Sequence, residues 1–193
     1  MELWLDCRES SEFINEYDFD RYLSFEKISG KETMICDKKT IKIDQEVIGS
    51  IVIIKDQNNQ DDARQMVGIV NWIVLEFENW SMIPIENLIA ASQNTPTKIA
   101  AKIRSISEAQ GAGFALESGV DAIIVDNEKS IIEAALITKS QRMENNTINE
   151  QLDVTENDSL EIVSHTIKSI EDGGVGERYC IDLTTILEEG EGL

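Results

Sequence analysis

The chain has 193 residues, of which 41% are hydrophobic, enough apolar material for one domain with a core and a smaller appendage. Its 17 basic and 37 acidic residues give a formal net charge of −20, which disfavours binding to nucleic acid or to an anionic membrane. No stretch of about 18 apolar residues occurs, and the first ten residues lack the pattern of a secretion signal, so we expect a cytoplasmic protein.

The first 70 residues predict short strands joined by polar connections, at Leu3–Leu5, Thr33–Cys36 and Thr40–Ile43. The segment Val47–Lys55 is rich in β-branched residues and predicts a strand that is buried on both faces. Asp61 and Asp62 then indicate the start of a short helix that ends at Gly68, because acidic residues favour the positive end of a helix.

The middle of the chain alternates regularly between strands and helices. It predicts strands at Trp72–Phe77, Lys98–Ile103 and Asp121–Val125. The first following helix has Pro84 in its first turn, the second is capped by Ser105 or Ser107 and stops at Gly119, and the third runs from Glu128 to about Arg142. Such repetition indicates parallel βα units. Because too few units are visible for a complete eightfold barrel, we predict an α/β fold with an incomplete or modified barrel, over residues 1–142.

The end of the chain has a different composition. Residues 143–158 are polar and aperiodic and predict a linker or loop. Residues 159–193 alternate around a glycine-rich turn and predict a short β-rich segment, which we expect to be truncated because its last residues form no packed element. Residues 141–193 contain thirteen acidic and three basic residues, an excess typical of a solvated surface.

Candidate catalytic residues follow from the rule that chemistry in parallel α/β sheets lies at the carboxyl ends of the strands. This rule selects polar residues after the three clear strands, namely Glu76, Glu78, Asn79, Lys102, Arg104, Asp126 and Asn127. Together they would provide carboxylates for proton transfer and cations for an acidic substrate. Of these we select Glu76, Lys102 and Asp126 as catalytic. Each residue taken alone is also compatible with an ordinary polar loop.

Two glycine motifs have different interpretations. The motif "GAG" at 111–113 lies inside a predicted helix and indicates close helix packing rather than a dinucleotide site. In the turn 173–178, Gly174 and Gly176 could direct backbone N–H groups at an anion, with Arg178 adding a charge; a plain hairpin turn explains this pattern equally well. No metal site is expected, because His165 is the only histidine and the three cysteines are widely spaced.

The segment Leu75–Ala90, "LEFENWSMIPIENLIA", resembles the strand, acidic turn, tryptophan and helix start of the archaeal-type 3-dehydroquinate synthases, also called dehydroquinate synthase II. The resemblance continues through "KIAAKIRSISEAQGAGFALESGVDAIIVDN". It ends in "GVGERYCIDLTTILEEGEGL", which is similar to the family's G-x-G-D/E-R-x-C-x-D run. Residues 70–193 are well covered and the first 70 only weakly. The positions that match the family's motifs are Glu76, Trp80, Glu86, Asn87, Gly174, Gly176, Glu177, Arg178, Cys180 and Asp182.

The resemblance implies an NAD-dependent enzyme of aromatic amino acid (shikimate) biosynthesis. Its reaction would be the oxidative deamination and cyclisation of 2-amino-3,7-dideoxy-D-threo-hept-6-ulosonate, an amino-keto acid, to 3-dehydroquinate. This reaction needs hydride transfer to NAD, hydrolysis of an imine and proton removal for an intramolecular aldol closure. Gly174, Gly176 and Arg178 lie in the matching glycine run, and we select them as cofactor-binding because their local pattern suits an anion, whereas a role of Lys102 in imine chemistry rests on its position alone.

Members of that family are longer than this chain. We therefore expect either one part of a split enzyme, which would need a separate C-terminal half or a homo-oligomer, or an inactive docking module. A related subgroup makes an aminohydroxybenzoate from a similar substrate, and that alternative stays open. NAD binding discriminates the enzyme from the docking module.

Overall fold

Eight strands form a closed barrel in the computed structural model of the protein, in which the backbone is described for residues 1–152 and the side chains for residues 1–144. The strands follow one another around the barrel in chain order, and β8 pairs with β1 to close it. Their bounds are β1 Glu2–Asp6, β2 Arg21–Ser24, β3 Thr33–Asp37, β4 Thr40–Ile43, β5 Glu46–Ile54, β6 Trp72–Phe77, β7 Lys98–Ile103 and β8 Ala122–Val125.

Seven of these strands are parallel and β4 alone runs the other way. It is joined to β5 by a two-residue turn in which Asp44 and Gln45 both have positive φ, the geometry that matches the twist of a tight hairpin. The prediction of a modified α/β barrel is therefore confirmed. The modification is an inserted antiparallel strand, and the sheet closes completely.

Helices follow only the last four strands of the barrel. They are α1 Gln57–Gln65, α2 Met82–Ser92, α3 Ile106–Phe114 and α4 Lys129–Leu152. The side chain of Asp56 caps α1 by accepting the N–H of Asn59, so this helix begins earlier than Asp61. Ser105 caps α3 by accepting the N–H of Glu108, which decides between the two predicted serines.

Other elements also differ from the sequence prediction, and α1 ends at Gln65 and not at Gly68. The strand β2 was not predicted, since its four residues offer too short a pattern. The helix α3 ends at Phe114, five residues before the predicted stop at Gly119. It ends there because Leu116 and Glu117 already have positive φ. The helix α4 continues to Leu152, where the polar linker 143–158 was predicted, because residues 143–152 contain neither glycine nor proline and include good helix formers. The predicted segment 159–193 lies outside the described residues.

Two apolar clusters separate the inside of the barrel from its outside. The inner cluster includes Trp4, Leu23, Met34, Val74 and Ile124. The outer cluster packs the other face of the strands against the helices. In the connection from β1 to β2, which has no helix, ring contacts run in sequence through Phe13, Tyr17, Phe19 and Tyr22 at centroid distances of 6.0, 6.2 and 5.8 Å.

The glycines of the "GAG" motif show the close packing of α3 that the sequence predicts. A Cβ atom on Gly113 would lie 2.2 Å from Cγ2 of Thr138 in α4, closer than carbon atoms approach. A Cβ atom on Gly111 would meet only the side chain of Met82, with Sδ nearest at 2.9 Å. No helix in the described part of the chain is long and apolar enough to cross a membrane.

Candidate active site

Side-chain alternation along the strands directs a set of charged residues to the inside of the barrel at its carboxyl-terminal end. Residues two apart in a strand face the same side of the sheet. Trp4, Val74, Ala100 and Ile124 belong to the inner cluster. The positions two further along β1, β6, β7 and the end of β8 are occupied by Asp6, Glu76, Lys102 and Asp126. The barrel thus has an apolar middle and a charged opening, here called the mouth.

Five side chains at the mouth form a continuous chain of ion pairs, and Asp6, Arg8, Glu76, Lys102 and Asp126 are here called the mouth cluster. Nη2 of Arg8 lies 2.5 Å from Oε1 of Glu76 and 2.5 Å from Oδ2 of Asp6. Nζ of Lys102 lies 2.8 Å from the same Oδ2 and 2.8 Å from Oδ1 of Asp126. Opposite charges therefore alternate across β1, β6 and β7 and the residues that follow β1 and β8.

Asp6 is the buried centre of the mouth cluster, with a side chain only 3% exposed. Its Oδ1 accepts hydrogen bonds from the backbone N–H of Arg8 at 3.1 Å and from Nε of the same residue at 2.9 Å. Its Oδ2 accepts hydrogen bonds from Nη2 of Arg8 and Nζ of Lys102. Burial by itself would raise the pKa of Asp6, but the hydrogen bonds from Arg8 and Lys102 outweigh it and hold the pKa below its usual range. Asp6 is therefore a carboxylate at neutral pH.

The two cations of the mouth cluster are held in their charged forms. The hydrogen bond to Asp6, against the opposing effect of burial, raises the pKa of Arg8. Burial lowers the pKa of Lys102, but its hydrogen bonds to Asp126 and Asp6 outweigh burial and raise that pKa above its ordinary value. Lys102 is therefore an ammonium at neutral pH, and a free amine at this position is disfavoured.

Exposure increases from Asp6 towards the solvent. Arg8, Glu76 and Lys102 have side chains that are 16%, 15% and 13% exposed, while that of Asp126 is 47% exposed. The two outer carboxylates are thus the ones that a ligand entering the mouth would reach.

The thiol of Cys36 also lies in the inner cluster, near the charges of Arg8, Asp6 and Glu76. Burial raises the pKa of Cys36 to about 11, so the side chain is a neutral thiol at pH 7. It acts as a small apolar side chain, and thiolate chemistry is disfavoured there.

A cleft of about 390 Å³ opens beside the mouth cluster, between the ends of β6 and β7. Lys102 belongs to both, so the cleft and the cluster form one site. The cleft is lined by Phe77, Glu78, Asn79, Trp80, Lys102, Arg104 and Glu108. The rings of Phe77 and Trp80 lie 4.9 Å apart and give the cleft an apolar wall. A cleft with one aromatic wall and convergent charges is typical of a site for a small polar ligand.

The structure brings together the three residues that the sequence selected as catalytic. Glu76, Lys102 and Asp126 all belong to the mouth cluster, although the two carboxylates are linked only through Arg8, Asp6 and Lys102. Of the other candidates, Glu78, Asn79 and Arg104 line the cleft.

Asn127, the remaining candidate, belongs to neither the mouth cluster nor the lining of the cleft. Its Nδ2 donates to the carbonyls of Asp6 and Ser10, and its Oδ1 accepts the N–H of Phe13, so it fixes the connection between β1 and β2. Gly174, Gly176 and Arg178 lie outside the described residues.

Two members of the mouth cluster were not predicted from the sequence, namely Asp6 and Arg8. A signal was present, because an acid and a base directly follow the apolar run Leu3–Leu5 in "LWLDCR". The carboxyl-end rule applies to a strand only once it is recognised as parallel, and the short strands of the first 70 residues gave no indication of direction. Closure of the barrel by β1 and β8 places both residues in the site.

A closed α/β barrel with a charged cluster at the carboxyl ends of its strands defines the class of this protein. In that class the ligand-binding and catalytic groups lie at this end of the barrel, and the opposite end serves stability.

Comparison with known proteins identifies the family. The 3-dehydroquinate synthase II N-terminal domain matches residues 14–139, and the chain therefore belongs to the 3-dehydroquinate synthase II family. A protein from Methanosarcina barkeri named 3-dehydroquinate synthase is 32% identical over 155 residues, which are 80% of this chain and 38% of the relative. One of the same name from Methanosarcina mazei is 31% identical over 151 residues, 76% of this chain and 35% of the relative.

The longest of these alignments extends over the whole chain. It is to a 3-dehydroquinate synthase from Archaeoglobus fulgidus, which is 28% identical over 192 residues, or 100% of this chain and 52% of the relative. The chain thus spans between about a third and a half of the length of these relatives. No solved structure matches the chain.

Proposed function

We propose that this chain is part of a 3-dehydroquinate synthase of the archaeal type. The activity is the NAD-dependent oxidative deamination and cyclisation of 2-amino-3,7-dideoxy-D-threo-hept-6-ulosonate to 3-dehydroquinate. The observation that carries the proposal is the mouth cluster, which combines two cations with two accessible carboxylates at the functional end of a barrel of this family.

The charges of the site fit the amino-keto acid. Arg104, exposed in the cleft, and the ammonium of Lys102 provide positive charge for its carboxylate and hydrogen bonds for its keto oxygen. Because two carboxylates keep Lys102 protonated, we assign it to binding and to proton donation, and not to imine formation with the substrate.

Glu76 and Asp126 are the groups that would accept protons. Each contacts a single cation through one oxygen among the described residues, so the other oxygen is available to a ligand. Closure of the ring by an aldol step needs removal of a proton beside a carbonyl, and deamination needs removal of protons from nitrogen. A pair of carboxylates on opposite sides of the cations suits two such transfers.

NAD, when bound, accepts the hydride from the carbon that carries the amine. None of the four strand-to-helix turns in the described barrel contains a glycine, so none of them forms the glycine-rich loop that cradles a pyrophosphate. We therefore assign the cofactor to Gly174, Gly176 and Arg178, where successive glycines can direct N–H groups at a phosphate.

The chain spans about a third to a half of its relatives' length, so the proposal includes a contribution to the active enzyme from the part that it does not cover. A homo-oligomer is the alternative source. The related aminohydroxybenzoate synthase would use a similar amino-keto substrate and is distinguished by its product.

The test is calorimetry with NAD on the purified chain, alone and with the C-terminal part of the Methanosarcina barkeri relative supplied in trans, followed by addition of the amino-keto acid. We expect NAD binding in the mixture, absorbance of NADH after substrate is added, and 3-dehydroquinate as the product. No NAD binding in either setting would contradict the proposal and leave a docking module.

In the active mixture, Glu76→Gln and Asp126→Asn should each lower kcat by about 10²-fold to 10⁴-fold, the range for loss of a group that transfers protons. The matched control is Asp62→Asn, a change of the same charge on the exposed face of α1, which should leave kcat within about twofold. Full activity of both mouth variants would show that the proton acceptors lie elsewhere.

A further inference from the structure

We propose that Arg8 recognises a carboxylate of the substrate, and that the buried Asp6 positions Arg8 and Lys102 for this task. The inference rests on the proposed function and deepens it, since it names two residues and a chemical class of ligand group. It concerns a 2-oxo or 2-amino carboxylate end of the substrate, and it is carried by the geometry of the mouth cluster.

Asp6 has no capacity left for a ligand. Its two oxygens accept four hydrogen bonds, three from Arg8 and one from Lys102, and its side chain is almost completely buried. A carboxylate with about four lone-pair sites is then saturated. Asp6 is therefore a positioning residue, which fixes the plane of one guanidinium and the place of one ammonium.

Both cations keep a donor for a ligand. Nε and Nη2 of Arg8 are used, whereas Nη1 has no partner among the described residues. Since no buried side-chain nitrogen or oxygen in that part of the chain lacks a partner, Nη1 is accessible to solvent. Lys102 uses two of its three N–H groups, on Asp6 and Asp126.

Two donors on two cations that share one anchor match the two oxygens of a carboxylate. Charge-assisted hydrogen bonds of this kind are about twice as strong as those between neutral groups. The guanidinium of Arg8 is planar and fixed by a paired contact to Asp6, so little rotamer freedom remains to be lost when a ligand binds.

The mouth cluster contains three carboxylates and two cations, so an arriving anion has to replace one of the carboxylates. Asp126 is the one to be replaced. Its side chain is 47% exposed, against 15% for Glu76, and an exposed ion pair contributes little to stability. Once displaced from Lys102, Asp126 stays at the solvent side of the mouth beside the ligand, as its assignment as a proton acceptor requires.

The test uses pyruvate, the smallest 2-oxo carboxylate, with methyl pyruvate as the neutral probe. Both are titrated into the ¹⁵N-labelled chain without NAD and without any partner, and amide shifts are followed by NMR. We expect saturable shifts at the ends of β1 and β7 with pyruvate and none there with the ester. Absence of such shifts at the highest soluble concentration, or shifts centred elsewhere, would overturn the proposal.

Variants identify the residues. Arg8→Gln should weaken pyruvate binding about tenfold or more, and Arg8→Lys, which keeps the charge but loses the fork of donors, by about threefold. Lys55→Gln is the matched control, since it removes one positive charge at the same end of the barrel outside the mouth cluster, and should leave the affinity unchanged. Equal affinities for Arg8→Gln and the control would overturn the role of Arg8.

The role of Asp6 has its own readout. In Asp6→Asn the pKa of Lys102, followed through its ¹⁵Nζ resonance, should fall and pyruvate binding should weaken as in Arg8→Gln. A folded variant with an unchanged Lys102 titration would show that Asp6 positions nothing. If Asp6→Asn does not fold, the two Arg8 variants still decide the proposal. Because pyruvate binding needs no NAD, its failure and the failure of the synthase proposal are separate results.

Discussion

In one half of the barrel, formed by β5–β8, every strand is followed by a helix, whereas no helix lies in the connections between β1 and β5. The outer faces of β1 and β2 are nevertheless buried at Leu3, Leu5 and Tyr22, whereas those of β3 and β4 stay partly exposed. The helix-covered half uses buried side chains of α2 and α3, such as Leu88 and Ala112. In the helix-free half, aromatic side chains of the β1–β2 connection, among which Phe19 is 6% exposed, join the apolar cluster that covers β1 and β2, and α4 also packs against β1.

This difference teaches that a barrel can close with half its usual helices if loop side chains help to cover some strands and other strands carry polar residues on their outer faces. Large aromatic side chains supply apolar cover with few residues. The mouth cluster joins the two halves, because Asp6 and Arg8 come from the helix-free half and Glu76, Lys102 and Asp126 from the helix-covered half.

The largest expected effect tests whether the aromatic side chains replace a helix. Phe19→Ala should lower the free energy of unfolding by about 3–5 kcal/mol, similar to the 2–5 kcal/mol expected for Leu88→Ala in α2. Urea denaturation followed by circular dichroism measures both. Phe25→Ala is the control, because this side chain is 62% exposed and its loss should change stability by less than about 0.5 kcal/mol. An equally small effect for Phe19 would break the comparison.

The next effect concerns the fit of α3 against α4 in the helix-covered half. Gly113→Ala should destabilise by about 1–3 kcal/mol, because its new methyl group would overlap Cγ2 of Thr138. Gly111→Ala, two residues away, meets only the flexible side chain of Met82 and gains helix propensity, so it should be neutral or stabilising by up to about 1 kcal/mol. Thermal unfolding of the two variants gives the answer, and equal transition temperatures would contradict the close packing.

The smallest effect sharpens the comparison at the seam between the halves. The cations beside Asp6 hold its pKa below the unfolded value of about 3.9, against the effect of burial. Its contribution to stability is therefore fully present above about pH 4 and is lost as the pH falls through the lower, folded pKa. We expect the stability difference between the wild type and Asp6→Asn to shrink in urea titrations below about pH 4.

The control for this pH dependence is Asp62→Asn, which lies on α1 and outside the mouth cluster. Its small difference from the wild type should stay the same across that pH range. A constant difference for Asp6→Asn as well would show that its carboxylate is not stabilised by Arg8 and Lys102.

The helix-covered half is also the part that the sequence predicts well. The bounds of β6 and β7 agree with the predicted strands, and the carboxyl-end rule selected three of the five members of the mouth cluster. Capping residues and 3.6-residue periodicity are local signals, so one sequence suffices to read them. In the helix-free half, β2 is only four residues long. Asp6 reaches the site because β1 pairs with β8, and the paired residues are 120 positions apart in the chain.

The predicted start of α1 and the predicted end of α4 were wrong for a related reason. Polar residues dominate both segments, and a helix of polar residues has no apolar stripe to mark its limits. The predicted domain limits at 142 and 158 and the cofactor residues Gly174, Gly176 and Arg178 remain predictions.

The amino-terminal end of the barrel is closed by the rings of Trp4 and Trp72, which meet edge to face at 4.6 Å, with Arg21 and Lys98 over Trp72. The third tryptophan of the chain, Trp80, lies at the opposite end and lines the cleft. The protein therefore carries two separate fluorescent reporters. Emission from the buried pair should follow unfolding, while quenching of Trp80 should report a ligand that enters the mouth, so Trp80→Phe would silence the second signal and leave the first.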